Sequence, residues 1–213
     1  MKAVIFDMDG TLLDSMDMWL SLGEVFLENR GFSIPDDLRH TVERMRISDA
    51  ADYIAENFPL GLTGEQILEI WFDIVDNGFR NEVRLKPFAL PYLKKLRSEG
   101  IPCCVATLTG KEHARLAIES QGISDYFEFI LTVEEVGRNK QHPDIFLKCA
   151  ETLGVKPSEC AVFEDSYYAA RTAKKAGFKV VGVYDEITTR DMIAEMNEVC
   201  DRVIYSFEEM VRT

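Results

Sequence analysis

The chain has 213 residues, 46% hydrophobic and 29% charged, with a formal net charge of −13. That is the composition of an ordinary soluble globular protein, long enough to bury a sizeable core. The acidic balance argues against a nucleic-acid partner, whose backbone needs a basic face, and against anionic membrane surfaces, but it leaves small phosphorylated substrates open, because a divalent cation and a few placed basic groups reverse the field locally.

A short apolar run, Ala3 to Phe6, reads as a buried strand that delivers Asp7 and Asp9 to its C-terminal end, with a Gly-Thr turn directly after. Beyond Asp14 the pattern is helical. MDMWLSLGEVFLENRG reads as an amphipathic helix closed by Gly31. Pro35 opens a second helical segment running toward Arg46, and Asp49 to Asn57 reads as a third. Thr63 and Gln66 form a capping box for a fourth, ending near Phe79.

The pattern then becomes alternating. Helices are expected at Pro87–Arg97, Lys111–Ser120, Pro143–Leu153 and Tyr167–Ala176, and strands at IPCCVAT, EFILTV, CAVFED and FKVVGVY. A weaker strand, RVIYS, leads to a last helix capped at Ser206. Alternation of this kind predicts a parallel sheet with helices on both faces, so the fold expected is α/β with a helical insertion after the first strand. The five cysteines are odd in number and lack a disulfide framework. Cys103 and Cys104, adjacent in an apolar run, are expected as buried thiols, which fits a reducing cytoplasm. The N-terminus lacks an apolar signal segment, and no apolar run approaches the roughly 20 residues a membrane helix needs.

Each expected core strand ends in polar residues, and ligands of open α/β sheets bind outside those ends. Of Asp7 and Asp9, one can serve as nucleophile or metal ligand while the other moves protons. Thr107 ends the second core strand, and Thr109 with Glu112 reads as a capping box whose backbone N–H groups face an anion. Lys140 stands in a polar loop before Pro143. Glu164 and Asp165 close the strand CAVFED, with Ser166 placed to cap the next helix. Mg²⁺ takes one or two carboxylates plus waters and substrate phosphate, and Asp7 with Asp165 would supply them. His40, His113 and His142 show no zinc-like spacing, although His142 lies near Lys140.

DMDGT at Asp7–Thr11, the strand-end Thr107, Lys140 in K-x-x-P-D-I-F, FEDS at Phe163–Ser166 and the following RTAKKAGF occur in that order. Over essentially the whole chain this resembles the haloacid dehalogenase superfamily, in the subfamily with a helical cap after the first strand and its β-phosphoglucomutase-like and phosphatase branch. The resemblance implies a Rossmann-like core at 1–14 and 82–213 and a helical-bundle cap at 15–81. It implies Asp7 as the nucleophile that becomes an aspartyl-phosphate, and Asp9 as general acid and base. Thr107, the Leu108 N–H and Lys140 would bind phosphoryl oxygens. Asp7, the Asp9 carbonyl, Asp165 and Glu164 would hold Mg²⁺, Glu164 directly or through water. Met16, Trp19, Arg44 and Arg46 are the cap residues placed to reach a leaving group.

The chain departs from the family pattern at Leu108-Thr109, usually Asn-Ser, at Gln141, usually Pro, and at Ala169, usually Gly. None of these removes a catalytic functional group. The function expected is Mg²⁺-dependent hydrolysis of a small phosphomonoester, a sugar phosphate or a nucleoside monophosphate. A mutase of the β-phosphoglucomutase kind is the alternative, but its cap His and Arg align here with Trp19 and Ile47. A receiver-like phospho-switch shares the acidic pair and the Lys, yet it is shorter and has no helical insertion.

Overall fold

The structure is a computed structural model and describes residues 1–35, 37–42, 45, 47–187 and 190–212, without the side chains of His40, Arg190 and Asp191. Six strands form one parallel sheet: β1 (Ala3–Phe6), β2 (Cys103–Thr107), β3 (Ile130–Thr132), β4 (Cys160–Glu164), β5 (Lys179–Val183) and β6 (Arg202–Ile204), in the order β3-β2-β1-β4-β5-β6. β1 lies between β2 and β4, with Phe6 in register with Val105 and Phe163. That register brings the C-terminal ends of the three central strands side by side.

The residues of β1, β2 and β4 are buried throughout, as expected for strands covered on both faces. Alternation assigns them to two cores. On one face Ala3, Ile5, Cys104, Ala106, Cys160 and Val162 pack with Ile145, Phe146 and Cys149 of α8 (Asp144–Thr152) and Ala169, Ala170 and Ala173 of α9 (Tyr167–Lys175). On the other face the Phe6 and Phe163 rings lie 4.9 Å apart and meet Tyr92 of α5 (Ala89–Ser98) and Phe207. α6 (Lys111–Ser120) follows β2. All five cysteines are free thiols, and burial pushes Cys103 up to about 12.

The chain divides into two compact units, Met1–Ser15 with Arg84–Thr213, and Met16–Val83. The second consists of α1 (Met16–Glu28), α2 (Leu38–Val42), α3 (Ile47–Asn57) and α4 (Gly64–Asn81). Its core holds Leu22, Phe26, Ile54, Ile67, Trp71, Val75 and Phe79. The Thr63–Gln66 capping box is present on α4: the Thr63 hydroxyl accepts from the Gln66 N–H, and the Gln66 side chain accepts from the Thr63 N–H.

Several elements differ from the sequence expectation. The strand EFILTV stops at Thr132, because Thr132 and Glu135 form a capping box that starts α7 (Val133–Val136). The T-x-x-E spacing was the signal for it. Thr109 does not cap α6; Gly110 holds that position, since the Thr109 hydroxyl is used elsewhere. Ser166 occupies the N-cap position of α9 with extended backbone but makes no side-chain cap bond there. α10 (Arg190–Val199) had no sequence expectation, and the short α11 (Glu208–Val211) starts two residues after Ser206, whose hydroxyl accepts from the Glu208 N–H.

The segments that leave and rejoin the sheet unit are fixed together. The Lys86 N–H donates to the Leu12 carbonyl at 2.8 Å, and the Asp14 N–H donates to the Arg84 carbonyl at 2.9 Å. The buried Lys86 ammonium donates to Asp14 Oδ1 at 3.0 Å and to the buried Asp185. Burial works against the Lys86 charge, but the hydrogen bonds to Asp185 and Asp14 outweigh it and hold its pKa above the ordinary lysine value. Lys86→Met would break the buried pair between Lys86 and Asp185, so a loss of about 3–5 kcal/mol in unfolding free energy is expected in a denaturant titration. The double change Lys86→Met with Asp185→Leu should recover most of it.

Candidate active site

The turn after β1 carries the first part of the site. Asp7 follows the last residue of the strand, and its N–H still donates to the Phe163 carbonyl of β4 at 2.9 Å. The next residues curl back, with the Gly10 N–H donating to the Leu13 carbonyl at 2.9 Å. Gly10 has φ +76°, a left-handed conformation that favours glycine after two acids. Thr11, buried in this turn, donates its hydroxyl to Asp165 Oδ1 at 3.2 Å.

Asp7, Glu164 and Asp165 converge at the ends of β1 and β4. One carboxylate oxygen from each lies within 4.8 Å of the others. Lys140 enters this cluster from the loop before α8. It was expected in a polar loop, yet it is 1% exposed and donates to Asp7 Oδ1 and, at 2.7 Å, to Glu164 Oε1. Glu164 Oε2 accepts from both the N–H and the hydroxyl of Ser166, each at 3.0 Å. This explains why Ser166 does not cap α9: its hydroxyl holds a carboxylate instead.

The electrostatics follow from three acids around one ammonium. Burial pushes Asp7 up to about 7; Lys140 pulls it down, and Glu164 pushes it up again. Asp165 is held well above the ordinary carboxylate range by burial, and then by Glu164 and Asp7. Burial opposes the Lys140 charge, but Asp7 and Glu164 more than compensate and raise its pKa above the ordinary value. The cluster therefore has a surplus of buried negative charge. Its donor set is hard oxygen with carboxylates, which suits Mg²⁺.

Asp9 is built differently. Ser15 donates its hydroxyl to Asp9 Oδ1 at 2.6 Å, and Thr109 donates its own to Oδ2 at 2.7 Å. The two hydroxyls fix the carboxyl plane, and the Asp9 charge adds to the upward push on Asp7. Thr107, buried at the end of β2, accepts from the Thr109 N–H at 3.0 Å, so one turn positions both Thr107 and the group that holds Asp9. Between them Leu108 is 48% exposed.

Of the residues singled out from sequence, Asp7, Glu164, Asp165 and Lys140 form one cluster, and Asp9 and Thr107 share Thr109 as a partner. Met16 and Trp19 belong to the helical unit, where the Trp19 ring meets Phe79 edge-on at 6.2 Å. Arg44 and Arg46 lie outside the described residues. His142 has its N–H on the Asn139 carbonyl at 3.0 Å and takes no part in the carboxylate cluster. The hydroxyls of Thr11, Ser15, Thr109 and Ser166 were not expected as positioning groups. Thr11, Ser15 and Ser166 had nearness to acids in the sequence as a signal, whereas Thr109, 100 residues from Asp9, offered only a helix-cap reading.

A sequence model of the haloacid dehalogenase-like hydrolases matches residues 1–177. A Drosophila melanogaster protein named "Probable pseudouridine-5'-phosphatase" is 30% identical over 201 residues, covering 92% of this chain and 87% of that protein. The Escherichia coli fructose-1-phosphate phosphatase YqaB is 27% identical over 191 residues, covering 84% and 95%. A Thermotoga maritima structure provisionally named a β-phosphoglucomutase superposes with a TM-score of 0.87 at 23% identity, covering 100% of this chain and 97% of that one, which shows a common fold. The chain therefore belongs to the haloacid dehalogenase-like hydrolases and is an enzyme of their phosphatase kind.

Proposed function

We propose that this enzyme is a Mg²⁺-dependent phosphomonoesterase acting on a small phosphorylated sugar or nucleoside through an aspartyl-phosphate on Asp7. The observation that carries the reading is the buried cluster of Asp7, Glu164 and Asp165 around Lys140 at the carboxyl ends of adjacent strands. Relatives named for pseudouridine 5'-phosphate and fructose 1-phosphate support the substrate class.

In this mechanism an Asp7 oxygen attacks phosphorus, a new O–P bond forms, and the bond from phosphorus to the alcohol oxygen breaks. Lys140 anchors Oδ1, and among the described residues Oδ2 accepts no hydrogen bond, which leaves it available for attack. Asp9, held by Ser15 and Thr109, gives its proton to the departing alcohol oxygen. The resulting carboxylate takes a proton from water. The water oxygen then bonds to phosphorus, the Asp7–P bond breaks, and phosphate is released with Asp7 restored. Lys140, the Thr107 hydroxyl and the Leu108 N–H bind phosphoryl oxygens as negative charge shifts during transfer.

Asp7, Asp165 and the Asp9 carbonyl would hold the metal, with Glu164 acting directly or through water. When bound, the ion offsets charge on the carboxylates and the phosphoryl group. We assign the 16–83 unit as the cap that selects the leaving group. Trp19, where the mutase resemblance places a His, has only an N–H donor and cannot accept a proton from a substrate hydroxyl, which favours hydrolysis over phosphoryl shuttling.

Turnover of p-nitrophenyl phosphate in chelated buffer tests the reading. Activity should fall to background in EDTA, return with Mg²⁺ and be inhibited by Ca²⁺, which prefers more ligands at longer distances. Mg²⁺ at ten times its Kd should also stabilise the fold by about 1.4 kcal/mol. Full activity with the absence of metal verified would refute the metal role.

A further inference from the structure

Beside the catalytic cluster, and outside it, a cleft of about 420 Å³ lies between α9 and the loop that follows Lys140. Its polar lining is Gln141, Tyr167, Tyr168, Arg171, Thr172 and Lys175. No Asp or Glu lines it, in a chain that carries 37 of them. Tyr168, Arg171, Thr172 and Lys175 are spaced i, i+3, i+4 and i+7, which places them on one stripe of α9.

Among the described residues neither cation of that stripe has an acid for a partner. Four exposed lysines elsewhere do, Lys2 with Glu159, Lys111 with Glu135, Lys148 with Glu151, and Lys174 with Asp201 at 2.6 Å, whereas Lys94 and Lys179 stand alone on the described surface, outside this cleft. Lys175, next in sequence to Lys174, has no ion pair or hydrogen bond among the described residues, and neither has Arg171. Two uncompensated cations one helical turn apart, with a side-chain amide and phenols around them, form a lining that favours an anion. An Arg guanidinium fits two phosphate oxygens at once.

The cleft also touches the catalytic centre. Tyr168 stands two residues after Ser166, which holds Glu164, and its phenol is pushed up to about 12 by burial and then by the charge of Glu164, with Lys140 and Asp7 also felt. Gln141 directly follows Lys140, and its carbonyl accepts the Thr172 hydroxyl at 3.3 Å. From Tyr168 the stripe runs seven residues to Lys175, about 10 Å along the helix axis.

We propose that this cleft is a second anion site, which binds a phosphate group through Arg171 and Lys175. The phosphate comes either from the far end of a doubly phosphorylated substrate, which rests on the function proposed above, or from a separate phosphate-bearing small molecule or inorganic phosphate.

Calorimetric titration of inorganic phosphate into the Mg²⁺-loaded full chain tests the site. Wild type should bind one more equivalent than Arg171→Gln/Lys175→Gln. That difference holds whether or not a phosphate also binds at Asp7, so failure of the phosphatase reading changes the total and not the difference. Each single change should weaken the extra site about tenfold, as for a lost hydrogen bond to a charged group. Equal stoichiometry in wild type and variant overturns the proposal. A second measurement needs no variant: inorganic phosphate should shift the Arg171 side-chain Nε–H resonance of the labelled wild-type protein, and an unmoved resonance at saturation also overturns it. The source is then read from kinetics. If KM for fructose 1,6-bisphosphate rises at least about fivefold in the double variant while KM for fructose 6-phosphate does not, the site serves the substrate. If both KM values are unchanged while the extra equivalent is lost, it serves a separate anion.

Discussion

Asp7→Asn is expected to abolish turnover of any phosphomonoester while leaving the fold intact. An amide oxygen is a poor nucleophile, and removal of the nucleophile in a covalent mechanism costs several orders of magnitude in kcat, about 10⁶ in the best-measured hydrolase case. The fold should survive for a reason visible in the site. Asparagine keeps an oxygen that can accept from Lys140, and Lys140 keeps Glu164 at 2.7 Å. The change also removes one negative charge from a buried cluster that holds three acids against a single ammonium. In metal-free buffer the Tm should therefore be equal to or above that of wild type. Steady-state release of phosphate, measured with Tm on the same preparation, reads both effects. Activity within tenfold of wild type would remove Asp7 from the nucleophile's role, and a large drop in Tm would mean that the loss reports unfolding and not chemistry.

The parts of this molecule legible in the sequence are those governed by short-range pattern. The apolar run before Asp7, the alternation of strands and helices after Pro87, and the Thr63–Gln66 capping box follow from periodicity and local hydrogen bonding, and each has its counterpart in the structure. Strand-end acids were legible for the same reason, since a parallel strand delivers whatever follows it to one edge of the sheet. Partnership across long sequence separations was not. Thr109 offered a local reading as a helix cap, but its hydroxyl goes to Asp9, 100 residues earlier. Ser166 likewise gives up a cap to hold Glu164. Lys140 stands in a locally polar loop, and its burial depends on acids contributed at the ends of β1 and β4. The pairing of Lys86 with Asp185, 99 residues away, left no local trace. Competition for a hydroxyl or an ammonium is decided by tertiary structure, and sequence pattern carries only one of the competing offers.

Lys140→Met should be damaging to both stability and catalysis, and the two losses can be separated. Lys140 is the cation that Asp7 and Glu164 share, and all three side chains are buried. Removing it leaves both carboxylates without their counter-charge, a change that costs about 3–5 kcal/mol for a broken buried pair. Metal-free unfolding in denaturant should show a lower midpoint of about that size. Part of this loss is repulsion between acids, so Lys140→Met combined with Glu164→Gln should recover stability relative to the single variant. Catalysis should not return with it. In the proposed mechanism Lys140 offsets the repulsion between Asp7 and an incoming phosphate and stabilises the phosphoryl oxygens during transfer, and loss of one such group lowers kcat/KM by about 10²–10³. A purely structural lysine predicts the opposite pattern, in which the double variant regains, together with its fold, the activity of Glu164→Gln alone, the proper reference because in that mechanism Glu164 itself serves the metal. The deciding measurement is kcat/KM of the double variant against Glu164→Gln under conditions where both unfolding curves show the proteins fully folded. Equal activity there would mean that Lys140 holds the cluster together and does no more.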